Sequence, residues 1–98
     1  MVFVPPGALD AVRDAVFAAG AGRIGRYERC SWTSEGMGTF LGGEGSTPAV
    51  GEPGVEIHVA EVRLETVFPA ELQSEVVAAV RAAHPYEEPA FDIYEMVS

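Results

Sequence analysis

Apolar residues recur every three or four positions in two stretches of the chain, and this spacing predicts two amphipathic helices. The first runs from about Ala8 to Ala19, where the glycines that follow end a helix easily. The second opens at Pro69 and ends before Pro85, which pushes its predecessor out of helical conformation. The residues expected on the buried stripes are Leu9, Val12, Val16, Phe17, Leu72, Val76, Ala79, Val80 and Ala83.

Shorter apolar and alternating stretches predict strands between and around these helices. The predicted strands are Met1–Val4, Tyr27–Thr33, Met37–Leu41, Val55–Phe68 and Phe91–Val97.

Three details of these strands can be predicted as well. A hairpin turn is expected at Ser34-Glu35-Gly36, and Cys30 and Trp32 are expected to share a buried face. The apolar positions of Val55–Phe68 change parity, which predicts a bulge near Ala60-Glu61. Residues 42–54 hold five glycines and two prolines and are predicted to form a mobile loop.

The order of these elements predicts an α+β fold of the ferredoxin-like, split βαβ type. Its antiparallel sheet would carry both helices on one face. With 98 residues, the chain is expected to be a single domain spanning positions 1–98. The other sheet face would be bare, and an apolar bare face is normally buried by another subunit.

Charge and composition narrow the classes of partner. The net charge is −9, from six Arg against fifteen Asp and Glu. This balance argues against binding to nucleic acid and to anionic membrane surfaces. No apolar run approaches the roughly 20 residues that span a bilayer, and no secretory signal is expected at Met1–Pro6. The single Cys30 cannot form a disulfide within the chain, which favours a cytoplasmic protein.

The most distinctive segment is HPYEEP at positions 84–89, which we call the signature turn. Its His84, Glu87 and Glu88 could ligate a divalent metal, because imidazole and carboxylate are common metal ligands. The alternative is that His84 caps the last helical turn while the carboxylates face water or a neighbouring subunit. The expected ligand or interface contacts of this turn are Tyr86, Pro85 and Pro89.

The other residues that could act in catalysis or phosphate binding do not form a recognisable motif. Ser31, Thr33 and Ser34 offer hydroxyls and His58 a base, but no spacing supports a nucleophile–base pair. The glycine-rich segment lacks the lysine of a phosphate-binding loop. We therefore expect no catalytic residues, no cofactor other than a divalent metal at the signature turn, and no enzymatic activity.

The segment HPYEEPAFDIY (84–94) resembles the signature that ends the YqfO-type inserted domain of the Nif-three-like (NGG-one-interacting-factor-three-like) proteins. AGAGRIGRYERCSW (19–32) and EVRLETVFP (61–69) extend this resemblance over nearly the whole chain. A shorter match, HPYE-x-P, is shared with the CutA divalent-cation-tolerance proteins, whose ferredoxin-like fold is also PII-like.

The resemblance implies a non-catalytic, self-associating regulatory module, here in stand-alone form. It implies a homo-oligomer, expected to be a trimer, that binds a small molecule or metal in clefts between subunits. The first alternative is a CutA-like divalent-metal-binding protein. The second is a protein related to metal-dependent hydrolases or cyclohydrolases, which is disfavoured because the family's metal cluster lies in flanking lobes that this chain does not match.

Overall fold

A computed structural model describes residues 1–45 and 53–97, and these form one antiparallel sheet and two helices. The elements, in chain order, are β1 (Val2–Val4), α1 (Leu9–Ala18), β2 (Trp32–Leu41), β3 (Glu56–Glu65) and α2 (Gln73–Ala83). A three-residue 3₁₀ helix leads into each α-helix, at Pro6–Ala8 and Ala70–Leu72. No helix in the described ranges is both long and apolar enough to cross a membrane.

Both helices begin and end where local chemistry favours it. Asp10 and Glu75 lie in the first turns of α1 and α2, and Arg81 lies in the last turn of α2. These charges oppose the helix dipole and stabilise each terminus modestly. After α1 the chain reverses through Gly20, whose φ of 107° is strained for any residue with a Cβ.

The sheet has the strand order β1-β3-β2, and both pairings are antiparallel. On the outer side of β1, the amide of Phe3 donates to the carbonyl of Ala90 (3.1 Å) and the amide of Asp92 to that of Met1 (2.9 Å). A rudimentary fourth strand therefore lies at that edge. This spatial order confirms the predicted α+β, split βαβ arrangement.

The core lies between the helices and one face of the sheet. From β1 and β3 it takes Val2, Val4 and Leu64, with Val62 buried beside them. The helices contribute Val12, Val16, Phe17, Val76 and Val80. Val4 and Val12 are fully buried, and each such side chain contributes about 1.5–3 kcal/mol relative to exposure. The predicted helical stripes are confirmed except at Ala79, since Leu9, Leu72 and Ala83 pack against this core and Ala79 does not.

The sheet face opposite the helices, which we call the open face, is set by the strand register. The residues on this face are Phe3, Trp32, Ser34, Gly36, Gly38, Phe40, Ile57, Val59, Glu61, Arg63 and Glu65.

The predicted turn at Ser34-Glu35-Gly36 is wrong. These residues pair with Arg63, Val62 and Glu61 in the middle of an unbroken β2. Ser34 and Gly36 pair with β3 across the ladder, so this stretch of small and polar residues stays in an extended strand.

The predicted bulge near Ala60 is also wrong, because β2 and β3 keep one register from Trp32↔Glu65 to Leu41↔Glu56. Two ten-residue strands are about 33 Å long, whereas the helices reach only about 15 Å. Val62 and Leu64 face the helices, and Ile57 and Val59 face the other way beyond them. The apolar positions change face because the helical layer ends, and the molecule is elongated to 47 Å for the same reason.

Three strand boundaries differ from expectation, and one is the end of β3, which lies at Glu65 and not at the predicted Phe68. β2 begins at Trp32, while Ile24 and Tyr27 close a separate tight turn through two backbone hydrogen bonds of 3.0 and 2.9 Å. Trp32 is 61% exposed on the open face, and Cys30 is only half-buried, so their shared core face is wrong.

At the other end of the chain only Phe91 bridges to β1, which is too short to pair with all of the predicted last strand. Residues 46–52 of the predicted loop lie outside the described ranges, so its mobility stays a prediction.

Candidate functional site

The signature turn begins where α2 ends. The amide of His84 donates to the carbonyl of Val80 (2.9 Å), and its backbone then becomes extended, with φ −78° and ψ 135°. Pro85 imposes this change, because the residue before a proline is disfavoured in helical conformation. The turn therefore carries the chain from the end of α2 to the outer edge of β1.

His84 is buried, with 6% of its surface exposed, and both ring nitrogens have partners. Its Nε2 lies 2.7 Å from the carbonyl oxygen of Phe3, and its Nδ1 accepts a hydrogen bond of 3.1 Å from the amide of Tyr86. An amide can only donate, so Nδ1 carries no proton and Nε2 is the donor. His84 is the C-cap residue of α2, as the structural alternative expects, but its ring bonds to β1 and to the Tyr86 amide rather than to the last carbonyls of the helix.

This arrangement bears on the predicted metal site at His84, Glu87 and Glu88, which stays a prediction. A metal at His84 would have to displace one of the two hydrogen bonds that hold the buried ring. The two carboxylate residues are exposed at the surface of the turn. Within residues 1–45 and 53–97, no group of three or more His, Cys, Asp or Glu side chains is arranged to hold a metal ion.

Tyr86 links the signature turn to the far part of the sheet. Its ring centroid lies 4.9 Å from that of His84 and 6.0 Å from that of Phe40 in β2. Partial burial raises the pKa of the Tyr86 phenol, and the negative charge of Glu61 raises it further. The flanking Pro85 is exposed and Pro89 half-buried, so the turn presents a firm, partly apolar surface.

The open face carries a row of alternating charges across its middle. Arg63 lies 3.4 Å from a carboxylate oxygen of Glu65, and its guanidinium lies over the ring of Phe3 at 5.9 Å. Glu61 folds its carboxylate directly over Gly38, where a side chain would collide with it.

These residues line a shallow groove on the open face. Its volume is about 480 Å³, and its lining includes Phe3, Gly36, Gly38, Glu61 and Arg63. The groove adjoins the signature turn through Ala90. The side chains that it offers on the open face are one anion, Glu61, one cation, Arg63, and the ring of Phe3, which together suit a small polar ligand.

The segment after α1 has a structural role that sequence reasoning missed. Arg29 has a φ of 56°, forms a 2.6 Å ion pair with Asp14 and lies 4.7 Å over the ring of Phe17. Gly22 accepts from the amide of Cys30 (2.8 Å) and donates to the carbonyl of Val67 (2.7 Å). The run of glycines and arginines was the available signal, because such runs mark tight backbone turns.

Neither histidine is placed for nucleophilic catalysis. His58 lies 3.0 Å from the carboxylate of Glu56, and His84 bonds to backbone groups. The Thr66 hydroxyl donates to the carbonyl of Cys30 (2.7 Å), and the Cys30 thiol makes only a long contact with a backbone oxygen. The histidine bonds of the described chain therefore leave neither ring against a hydroxyl or thiol.

No family model matches the chain, but individual proteins do. It is 55% identical over 97 residues to a "GTP cyclohydrolase 1 type 2 homolog" of Mycobacterium tuberculosis, covering 99% of this chain and 26% of that protein. A protein of the same name from Bacillus subtilis is 48% identical over 93 residues, 95% of this chain and 25% of its own length.

A crystal structure of a Bacillus cereus protein related to NIF3 superposes with a TM-score of 0.85. Its sequence is 46% identical, and the match covers 99% of this chain and 24% of that one. The chain thus spans about a quarter of the length of the proteins it matches. The resemblance noted from the signature segments is confirmed, whereas the likeness to CutA stays a prediction.

Proposed function

Because this chain is homologous to one segment of the Nif-three-like proteins, we propose that it is a non-catalytic assembly and binding module. Copies of it would associate through the open face and hold a small ligand in the clefts that result. We assign no catalytic step to this chain, because neither histidine contacts a nucleophile among the described residues. The activity in the relatives' name is left to the three quarters of those proteins that this chain does not match.

The observation that carries this proposal is the exposure of Trp32 on a face that neither described helix covers. The side chain is 61% exposed, although tryptophan is a large and mainly buried residue type. A second subunit that covered it would remove roughly 120 Å² of mostly apolar surface from water, worth about 3 kcal/mol per copy. Few other single contacts could contribute as much to an interface.

The charges on the same face suit contact between identical copies. Glu61, Arg63 and Glu65 alternate along one strand, so a rotation that offsets two copies places Arg63 opposite a carboxylate of its neighbour. Such pairing sets the register of an interface more than its affinity. A closed ring needs the same offset at each step, and a trimer is the ring that the resemblance to CutA proteins implies.

The groove beside Glu61 and Arg63 would then lie at the subunit boundary. A small molecule with both positive and negative groups fits its two charges, and the signature turn with Tyr86 would form one wall. The single half-buried Cys30 and the acidic composition support a cytoplasmic setting.

Trp32 is the only tryptophan, so its fluorescence tests the proposal directly. On concentration from nanomolar to micromolar protein, we expect the emission to shift to shorter wavelength as the mass measured by light scattering rises. Trp32→Ser should raise the dissociation constant by roughly two orders of magnitude, from the burial energy above. Tyr27→Ser is the matched control, because Tyr27 is 76% exposed but lies outside the strands of the sheet. A wild-type protein that stays a monomer of 10.4 kDa would overturn the proposal.

A further inference from the structure

The outer edge of β2 presents backbone groups that have no partner among residues 1–45 and 53–97. In β1 the amide of Phe3 points away from β3, toward Ala90, so Val2 and Val4 direct their backbone groups toward β3. Along each strand, successive residues direct their backbone amides and carbonyls to alternate sides. The register between β3 and β2 therefore fixes which residues of β2 bond to β3 and which face outward. The residues of β2 whose amides and carbonyls point outward are therefore Thr33, Glu35, Met37, Thr39 and Leu41.

This edge is unusually open. β2 is the last strand of the described sheet on its side, and every residue from Trp32 to Met37 is exposed. Natural proteins protect long edge strands with prolines, bulges, lysines or short length. β2 has ten residues, an unbroken register and a single charged side chain, Glu35.

We propose that β2 pairs antiparallel with β2 of a second copy, about a two-fold axis through Met37. The two sheets would become one continuous sheet. This interface uses the strand edge and is independent of the open face, so it does not rest on the function proposed above.

The register follows from the positions of the outward residues. With the axis at Met37, Thr33 lies opposite Leu41 of the other copy and Glu35 lies opposite Thr39. All five outward residues of each strand then find partners, giving roughly ten inter-chain hydrogen bonds. Moving the axis to a neighbouring residue leaves one outward residue of each strand without a partner.

Charge and apolar exposure favour the same register. An axis at Glu35 would set two carboxylates directly opposite each other, which is destabilising in a sheet. The axis at Met37 keeps them apart and joins the two Met37 side chains, which are 68% exposed in the single copy. It also covers Leu41, which is 62% exposed, with the second copy's Thr33. The part of the strand from Met37 to Leu41 projects beyond the helices.

Disulfide trapping tests the register, in a Cys30→Ser background that removes the native thiol. Met37→Cys should form a covalent dimer with a mild oxidant, because the two Cα atoms would be about 5.5 Å apart. Glu35→Cys alone should not, because its two copies would be about four residues apart along the strands. A mixture of Glu35→Cys and Thr39→Cys proteins should cross-link. Cross-linking of Glu35→Cys alone, or none by Met37→Cys, would overturn the proposal.

Native mass separates this inference from the open-face proposal. Edge pairing predicts an even number of copies, and Met37→Lys should halve that number by placing two ammonium groups at the axis. Met96→Lys is the control, because Met96 is 70% exposed and outside β2. A stable three-copy mass would refute edge pairing and support association through the open face. A two-copy mass that Trp32→Ser leaves unchanged would support edge pairing and refute association through the open face. A persistent monomer would refute both.

Discussion

Replacing His84 with alanine tests whether the signature turn is a structural tie between α2 and β1. The substitution removes both ring hydrogen bonds, to the Phe3 carbonyl at 2.7 Å and from the Tyr86 amide at 3.1 Å. A buried polar group left without a partner costs about 1–3 kcal/mol. The Phe3 carbonyl lies under the buried ring, whereas water can reach the half-buried Tyr86. We expect a total loss of roughly 2–4 kcal/mol in the free energy of unfolding.

Urea and thermal denaturation at one low protein concentration would measure this loss, since association also changes the melting temperature. For a domain of this size, the expected fall in Tm is roughly 10–25 °C. His84→Gln should lose less, because its amide can still donate to the Phe3 carbonyl. His58→Ala is the matched control, because that side chain is 61% exposed and pairs only with Glu56 at the surface. Equal stability of the His84→Ala and His58→Ala proteins would refute the role assigned to the buried ring.

Two further outcomes are expected. Gly22→Ala should lower the free energy of unfolding by roughly 2–4 kcal/mol, and Gly25→Ala should lower it by about 1 kcal/mol. Both glycines have positive φ, but only at Gly22 would an added Cβ meet Phe17, at 2.7 Å. Equal losses in urea denaturation would argue against that packing. In an ultraviolet titration the phenol of Tyr86 should ionise above its ordinary pKa of 10.0, and Glu61→Gln should lower that pKa in part, because burial is the larger cause. The folded state favours the neutral phenol, so this contribution to stability is complete below pH 10 and lost as the pH rises through the raised pKa.

The helices were predictable because each is amphipathic and bounded by residues that act locally. Pro69 and Pro85 act on their own backbone, and the stripe from Val76 to Val80 faces one core. A helix satisfies its own hydrogen bonds, so its limits can be read from adjacent residues. This explains why the predicted and observed ends of both helices agree to within a few residues.

The strands were harder to predict because their limits depend on distant partners. Ser34 to Gly36 has a turn-like composition but is held straight by Arg63 and Glu61 across the ladder. Conversely, the apolar alternation after Phe91 predicts a strand, yet β1 is too short to pair with it. Side-chain period records which face is apolar, and it does not record how far the covering layer extends.

The candidate site was also predictable only in part, because local features could be read from the sequence and long-range contacts could not. That HPYEEP is a special segment was evident from its composition, but not that His84 would turn inward. An imidazole and two carboxylates within five positions suggest a metal site, whereas the fold supplies a backbone carbonyl from β1, 81 residues away, as the partner of Nε2. No local pattern identifies a partner at that separation. The role of Gly38 could not be predicted from the sequence either, because only the fold shows that the Glu61 carboxylate lies over it.

The buried histidine also bears on assembly. His84 bonds to β1, and Tyr86 packs against Phe40 near the projecting end of β2. The signature turn thus connects the packed half of the domain to the projecting half, where the axis of the proposed edge pairing lies at Met37. Two ten-residue strands without a helix over their outer half would gain little stability of their own. Loosening the turn should therefore weaken edge pairing as well as folding, and the signature turn would act by holding the projecting strands in place.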